Sequence, residues 1–184
     1  MKITRAEIPD VLIIEPVIYK DSRGWFMETF NHKQFAESLQ SLNIPSPESF
    51  VQDNHSCSSK GVLRGLHYQE SPHAQGKLVR VVKGSVYDVV VDIRKDSPSY
   101  LQWFGIELSC TNNLMLWIPE GFAHGFVALE EDTHFLYKTT DYYHKESERS
   151  ILWSDPALGI RWPELGGYKI SEKDAEALPF DAAH

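Results

Sequence analysis

Lys77-Leu78-Val79-Arg80-Val81-Val82-Lys83-Gly84-Ser85-Val86-Tyr87-Asp88-Val89-Val90-Val91-Asp92-Ile93-Arg94 reads as two β-strands, 77–83 and 85–94, parted by the turn signal Lys83-Gly84-Ser85, with no room for a helix between them. In the first strand Lys77, Val79 and Val81 share one face and Leu78, Arg80 and Val82 the other. The same pattern extends outward in both directions. Candidate strands cover residues 11–19, 25–30, 50–57, 62–69, 102–109, 114–119, 122–129, 133–141 and 149–153. Between them lie turn signals such as Asp21-Ser22-Arg23-Gly24, Lys95-Asp96-Ser97-Pro98, Thr111-Asn112-Asn113 and Glu130-Glu131-Asp132. Eleven strands in succession without crossover helices predict an all-β, antiparallel sandwich or barrel. Helices are few. Residues 33–42 place Phe35, Leu39 and Leu42 at i, i+4 and i+7, as a short amphipathic helix would. Near the C-terminus, Ser171 followed three residues later by Asp174 reads as a helix N-cap.

Composition narrows the function. With 184 residues, 42% hydrophobic and 24% charged, and no repeat, linker or low-complexity tract, the chain is expected to form one domain over 1–184. Lys+Arg 18 against Asp+Glu 26 gives a net charge of −8 with eight neutral histidines. That disfavours a broadly basic nucleic-acid face but leaves room for a local basic pocket. Cys57 and Cys110 do not make a disulfide framework, and their spacing does not suggest zinc, so reduced thiols are expected. The opening Met1-Lys2-Ile3-Thr4-Arg5-Ala6-Glu7 carries an acid and no apolar core of a signal peptide. The run Val11 to Ile18 is broken by Glu15 and Pro16 and falls short of the roughly 20 residues of a membrane helix. A cytoplasmic protein, with no membrane or nucleic-acid partner, is the expectation.

Polar residues recur where a sandwich core wants apolar ones. Gln52, Asn54 and Ser56 share a face of one strand, and Tyr137 shares a face with Thr133, Phe135 and Thr139. Each row alone fits a solvated outer face; together they fit a polar interior satisfied by a ligand. In Val62-Leu63-Arg64-Gly65-Leu66-His67-Tyr68-Gln69 an unbroken strand would send Arg64 and His67 to opposite faces, and Gly65 permits a bulge that re-aims one of them. Histidine is the side chain suited to take a proton near neutral pH.

Pro119-Glu120-Gly121-Phe122-Ala123-His124-Gly125-Phe126 resembles the second motif of the cupin superfamily, in which such a turn directs a histidine into a small barrel. That resemblance implies an antiparallel jelly-roll with a few short flanking helices. Where many cupins carry a second metal-ligating histidine in their first motif, this chain reads His67-Tyr68-Gln69, so no metal is assigned. The order of motifs is similar to that of one cupin family, the dTDP-4-dehydrorhamnose 3,5-epimerases. The matching segments are residues 21–28 (Asp21-Ser22-Arg23-Gly24-Trp25-Phe26-Met27-Glu28), 50–56, 62–69, 75–80, 117–126, 135–138 (Phe135-Leu136-Tyr137-Lys138) and 150–153.

This resemblance implies a cofactor-independent homodimer that inverts C3 and C5 of a 4-keto-6-deoxyhexose carried on dTDP. By motif, His67 resembles the catalytic base, Asp174 the carboxylate that orients it, Tyr137 the general acid and Lys77 the cation beside the keto oxygen. Arg23, Glu28, Gln52, Asn54, Arg64, Lys77, His124, Glu148 and Lys173 resemble substrate contacts. Trp25, Phe26 and Tyr142 are candidates to stack on thymine. The apolar segment 11–18 would pair with a partner sheet, bringing Arg23 or Glu28 to a neighbouring subunit's site.

The chemistry is coherent. A ketone at C4 acidifies the C–H bonds at C3 and C5, so one base beside the ring serves both. An ammonium at the C4 oxygen stabilises the enolate, and a phenol on the opposite face returns the proton with inversion. Arginine forks suit the diphosphate without a metal. Three alternatives stay open on sequence: an epimerase of one carbon or a 3,4-ketoisomerase, a metal-dependent cupin enzyme, and a non-catalytic nucleotide-sugar binding module.

Overall fold

The computed structural model describes residues 1–180, so the last four residues of the expected domain, 181–184, lie outside the described residues. In chain order the elements are β1 (Lys2–Arg5), β2 (Leu12–Glu15), β3 (Ile18–Asp21), β4 (Gly24–Met27), α1 (His32–Ser41), β5 (Gln52–Ser58), β6 (Leu63–Gln69) and β7 (Lys77–Lys83). They continue with β8 (Ser85–Asp92), β9 (Trp103–Ser109), β10 (Met115–Ile118), β11 (Phe122–Ala128), β12 (Thr133–Thr139), β13 (Glu148–Ser150) and α2 (Glu172–Ala175). A six-stranded sheet has the order β1-β2-β10-β7-β12-β5, and a five-stranded sheet the order β13-β6-β11-β8-β9. The paired strands in both are antiparallel. The two strands read around Gly84 do not pair with each other. The turn carries the chain from β7 in one sheet to β8 in the other, which is how a jelly-roll closes.

Alternation along these strands dictates the layers. Val79, Val81, Leu116, Ile118 and Phe135 of the larger sheet meet Val86, Val90, Leu108, Phe122 and Phe126 of the smaller. Phe126 and Phe135, one from each sheet, stack with ring centroids 4.2 Å apart. The outer face of the six-stranded sheet is covered by α1, whose Phe35 and Leu39 pack on Leu12, Ile14, Leu78, Met115 and Trp117. Asn31 caps this helix, its side chain accepting from Gln34 N. On the far face of the five-stranded sheet Leu66, Tyr68, Val89 and Val91 pack under Ile151, Leu158 and Phe180. Covered on both faces, β8 has the near-continuous valine run of a strand that meets little water.

Three strand readings need correction, as does the expectation that segment 11–18 pairs with a partner sheet, because β2 is flanked by β1 and β10 within its own sheet. The strand expected over 11–19 is two, because Pro16 lacks an N–H for a ladder; β3 leaves the large sheet and pairs only with β4. The strand expected over 149–153 is the shorter β13. β1 escaped notice, since its Lys-Ile-Thr-Arg shows almost no apolar alternation and it forms the edge of its sheet.

Candidate active site

At one end of the sandwich the apolar interior gives way to a cavity of about 350 Å³ lined from both sheets. The five-stranded sheet supplies Arg64 and His67 of β6, His124 of β11 and Glu148 of β13. The six-stranded sheet supplies Ser56, Lys77, Phe135 and Tyr137, and the C-terminal segment adds Lys169, Ser171, Lys173 and Asp174. His67 and Arg64 reach the same cavity because β6 bulges. His124 pairs with His67, yet Phe126, two residues on, pairs with Arg64, three residues back. The bulge centres on Gly65, whose φ is +130° and whose position would put a Cβ 2.5 Å from Gly125 Cα; a side chain has no place there.

His67 Nε2 lies 2.6 Å from Asp174 Oδ1, which requires Nε2–H to donate and leaves Nδ1 as the basic nitrogen of the neutral ring. Asp174 is held in turn: Ser171 caps α2 by accepting from Asp174 N, and Gly65 N donates to Asp174 Oδ2 at 3.3 Å. Burial alone would raise the Asp174 carboxyl, but His67, Gly65 and Ser171 bring it below the usual range. Lys77 is 8% exposed. Its Nζ donates to the His67 carbonyl at 3.3 Å, and burial pushes its pKa down to about 8 against the pull of Asp88 and Glu148. Burial raises the Tyr137 phenol, with Arg64 opposing, so it is protonated at neutral pH.

At the cavity's rim Glu148 accepts from Lys173 at 2.6 Å and from the Tyr143 hydroxyl at 3.0 Å. Arg64 donates to Ser58 Oγ at 3.1 Å and to the Cys57 carbonyl, and no ion pair engages it among the described residues. Gln52 and Asn54 face the same side as Thr139 and Tyr137, their cross-strand partners. They bond to each other at 2.9 Å, and Gln52 Oε1 accepts from Tyr143 N; neither lines the cavity. Arg23 and Glu28 are also absent from its lining. Arg23 sits at the tip of the β3–β4 hairpin, 88% exposed and paired with its neighbour Asp21. Trp25 and Phe26 project from the same hairpin into solvent, and Tyr142 is exposed outside the cavity.

The ring that does line the cavity, Tyr143, was missed in favour of its neighbour. Lys169, also in the lining, carries no distinctive motif, and Gln75, which opens the matching segment 75–80, was not singled out. Asp88 was missed as well, although a carboxylate inside a valine run is a visible signal: it is fully buried and bonded to His124 Nε2 through both oxygens. Among the described residues no three His, Cys, Asp or Glu side chains converge as a metal site would require, and no helix is long and apolar enough to cross a membrane.

Comparison with known proteins gives this arrangement its family. A sequence model described as dTDP-4-dehydrorhamnose 3,5-epimerase matches residues 5–182. The chain belongs to the dTDP-4-dehydrorhamnose 3,5-epimerase family. It is 54% identical over 183 residues to the dTDP-4-dehydrorhamnose 3,5-epimerase of Salmonella typhimurium, covering 100% of this chain and 97% of that one. A crystal structure of the dTDP-6-deoxy-D-glucose-3,5-epimerase of Legionella pneumophila, in complex with dTDP-4-keto-L-rhamnose, aligns with a TM-score of 0.94 at 50% identity, covering 100% and 94% of the two chains. A 3'-monoepimerase from Streptomyces bikiniensis in complex with dTDP-quinovose shares the fold, with a TM-score of 0.87, but only 31% identity, covering 97% and 87%. The jelly-roll architecture matches these structures, and the activity is that of a dTDP-4-dehydrorhamnose 3,5-epimerase, in dTDP-rhamnose biosynthesis. Of the enzymes of one carbon and of two, the chain is markedly nearer the second.

Proposed function

We propose that His67 removes the protons from C3 and C5 of a dTDP-4-keto-6-deoxyhexose, that Lys77 stabilises the enolate and that Tyr137 reprotonates the opposite face. The observation that carries this reading is the division of the cavity between the two sheets. His67 belongs to the five-stranded sheet and Tyr137 to the six-stranded one, and both line the same cavity. His67 Nδ1 takes the proton, the C–H electron pair moves onto the C4 oxygen, and the imidazolium is held by Asp174. Lys77 meets the oxyanion as charge develops. Tyr137 gives its phenolic proton to the carbanionic carbon from the other side, and solvent restores both groups before the second centre reacts. Oxidation state is unchanged throughout, so the chemistry calls for no redox cofactor.

Arg64, Lys173 and Glu148 stand at the mouth, where the guanidinium and ammonium suit a diphosphate. His124 faces a sugar hydroxyl, and Tyr143 takes the place proposed from sequence for Tyr142 beside the base. Gln52 and Asn54 brace Tyr143 and the rim.

The second copy of the chain belongs to the same reading. Arg23 and Glu28 do not reach the cavity of their own chain, and their hairpin exposes Tyr19 and Phe26, cross-strand partners on one face, and Trp25 on the other, with Val17 exposed just before it, apolar surface that fits an interface. In a homodimer it lends these residues to the partner's site. Sedimentation velocity checks this: a monomer at micromolar concentration with full activity refutes it. The enzyme works in the cytoplasm.

Turnover of dTDP-4-keto-6-deoxyglucose in heavy water tests the chemistry. Deuterium entering both C3 and C5 is expected, and His67→Ala is expected to lose both exchanges by about 10²–10⁴ with the fold intact. Label at one carbon only, or exchange that survives His67→Ala, refutes the assignment.

A further inference from the structure

The inward row of β8 runs Val86, Asp88, Val90, and both valines belong to the core between the sheets. A carboxylate in that row breaks the local rule its neighbours obey. Its surroundings are equally pointed. Asp88 is 0% exposed, and its two oxygens lie 3.0 and 2.9 Å from a single ring nitrogen, Nε2 of His124. His124 and Lys77 line the cavity, whereas Asp88 does not. It stands one layer behind the groups that would touch a sugar.

We propose that Asp88 is a positioning residue, which fixes His124 in one tautomer and supplies the buried counter-charge for the Lys77 ammonium. The inference rests on reading Lys77 as the cation at the keto oxygen. With Nε2–H donating to Asp88, the neutral His124 ring keeps Nδ1 as an acceptor for a substrate hydroxyl. Burial drives His124 toward that neutral form. Burial also pushes Asp88 up, with His124 and Lys77 pulling it back. The ionisable groups around Lys77 are Asp88 on β8, Glu148 on β13, His67 on β6, His124 on β11 and Tyr137 on β12. Of the two carboxylates Asp88 acts on it more strongly, and Glu148 is already engaged by Lys173 and Tyr143. An ammonium taken out of water needs such a partner to stay charged.

Asp88→Asn in the full chain keeps the shape and removes the charge. An alkaline limb of kcat/KM is expected where Lys77 loses its proton, and Asp88→Asn is expected to move it down by about one to three pH units, the range an adjacent opposite charge commands. At pH 7 kcat then falls about two- to a hundredfold while KM changes little. In a Lys77→Met background the same change is expected to add less than about twofold, because the two act as a unit. A folded Asp88→Asn enzyme with wild-type kcat and an unmoved alkaline limb overturns the proposal, as does a full effect in the Lys77→Met background. If Lys77→Met alone leaves kcat intact, the reading of Lys77 fails and this inference falls with it, a result distinct from either of those. One measurement needs no variant: 15N NMR of the wild-type enzyme should show His124 protonated at Nε2 and bare at Nδ1, and Lys77 titrating near 8. The opposite tautomer, or a lysine titrating like an exposed one, overturns the proposal even if Asp88→Asn does not fold.

Discussion

Replacing Lys77 by methionine separates what the residue does for the reaction from what it does to the fold. The two side chains are of similar length, and the change removes an ammonium that is 8% exposed. A fall from the ordinary 10.5 to about 8 means that burial, net of the pull of Asp88 and Glu148, disfavours the charged form by about 3–4 kcal/mol, at about 1.4 kcal/mol per pH unit. The sign follows from proton counting. Between about pH 8 and 10.5 the unfolded chain holds a proton on this lysine that the folded chain has lost, so stability rises with pH across that window. Below it the penalty is present in full. Lys77→Met removes the penalty but leaves Asp88 with His124 alone, and its raised pKa lets it take up a proton in compensation. Stability at pH 7 is therefore expected to stay within about 2 kcal/mol of wild type, and the rise between pH 8 and 10.5 to disappear. Activity should behave quite differently. Losing a donor aimed at a developing oxyanion lowers kcat by about 10²–10³. Urea unfolding at pH 7 and pH 10, alongside initial rates of C3 and C5 deuterium uptake, reads both quantities. A Lys77→Met enzyme that keeps kcat within about threefold of wild type, or one whose stability still climbs above pH 8, refutes the reasoning.

Asp174→Asn should lower kcat about 10- to 150-fold, since a hydrogen bond to a charged partner is worth about 1.5–3 kcal/mol, without changing the deuterium pattern. Because the folded-state pKa of Asp174 is depressed, its stabilisation is present above its unfolded value and lost as pH falls through the folded one, so acid unfolding of Asp174→Asn should begin from a lower and flatter baseline. Gly65→Ala places a methyl 2.5 Å from Gly125 Cα and 2.9 Å from the His124 carbonyl at a φ of +130°. A melting curve should show a loss of about 1–3 kcal/mol, and steady-state rates a larger proportional loss, because β6 and β11 must part where they carry His67 and His124. Tyr143→Ala should leave kcat and thermal stability near wild type, the side chain being largely exposed, while raising KM about 5- to 150-fold if its ring stacks on thymine at about 1–3 kcal/mol. An unchanged KM would move that role elsewhere.

Strand alternation carried most of the architecture in advance. The shared faces of Lys77, Val79 and Val81, of Gln52, Asn54 and Ser56, and of Phe135 and Tyr137 are brought into register as neighbours, because a period of two leaves no freedom once one face is buried. The bulge at Gly65 was legible because an arginine and a histidine three apart needed one. Proline at position 16 was equally visible, but its effect, a hairpin turned away from the sheet, depends on what covers the neighbouring edge, which no local pattern reports. Asp88 stands out in its apolar run, but its role was not legible: only the fold brings its histidine, 36 residues away, beside it. Tyr142 and Tyr143 are adjacent, and only the turn that follows β12 decides which of them faces inward.

His67 and Tyr137 ride on separate leaves of this sandwich, and Phe126 and Phe135, one ring from each leaf, stack 4.2 Å apart in the lining of the same cavity. The spacing of the leaves there is gauged by aromatic thickness as much as by polar contact. Chains of this fold include enzymes described as 3,5-epimerases and as a 3'-monoepimerase. Thinning or thickening that aromatic stack would change how far apart the two leaves stand while leaving His67 and Tyr137 themselves untouched.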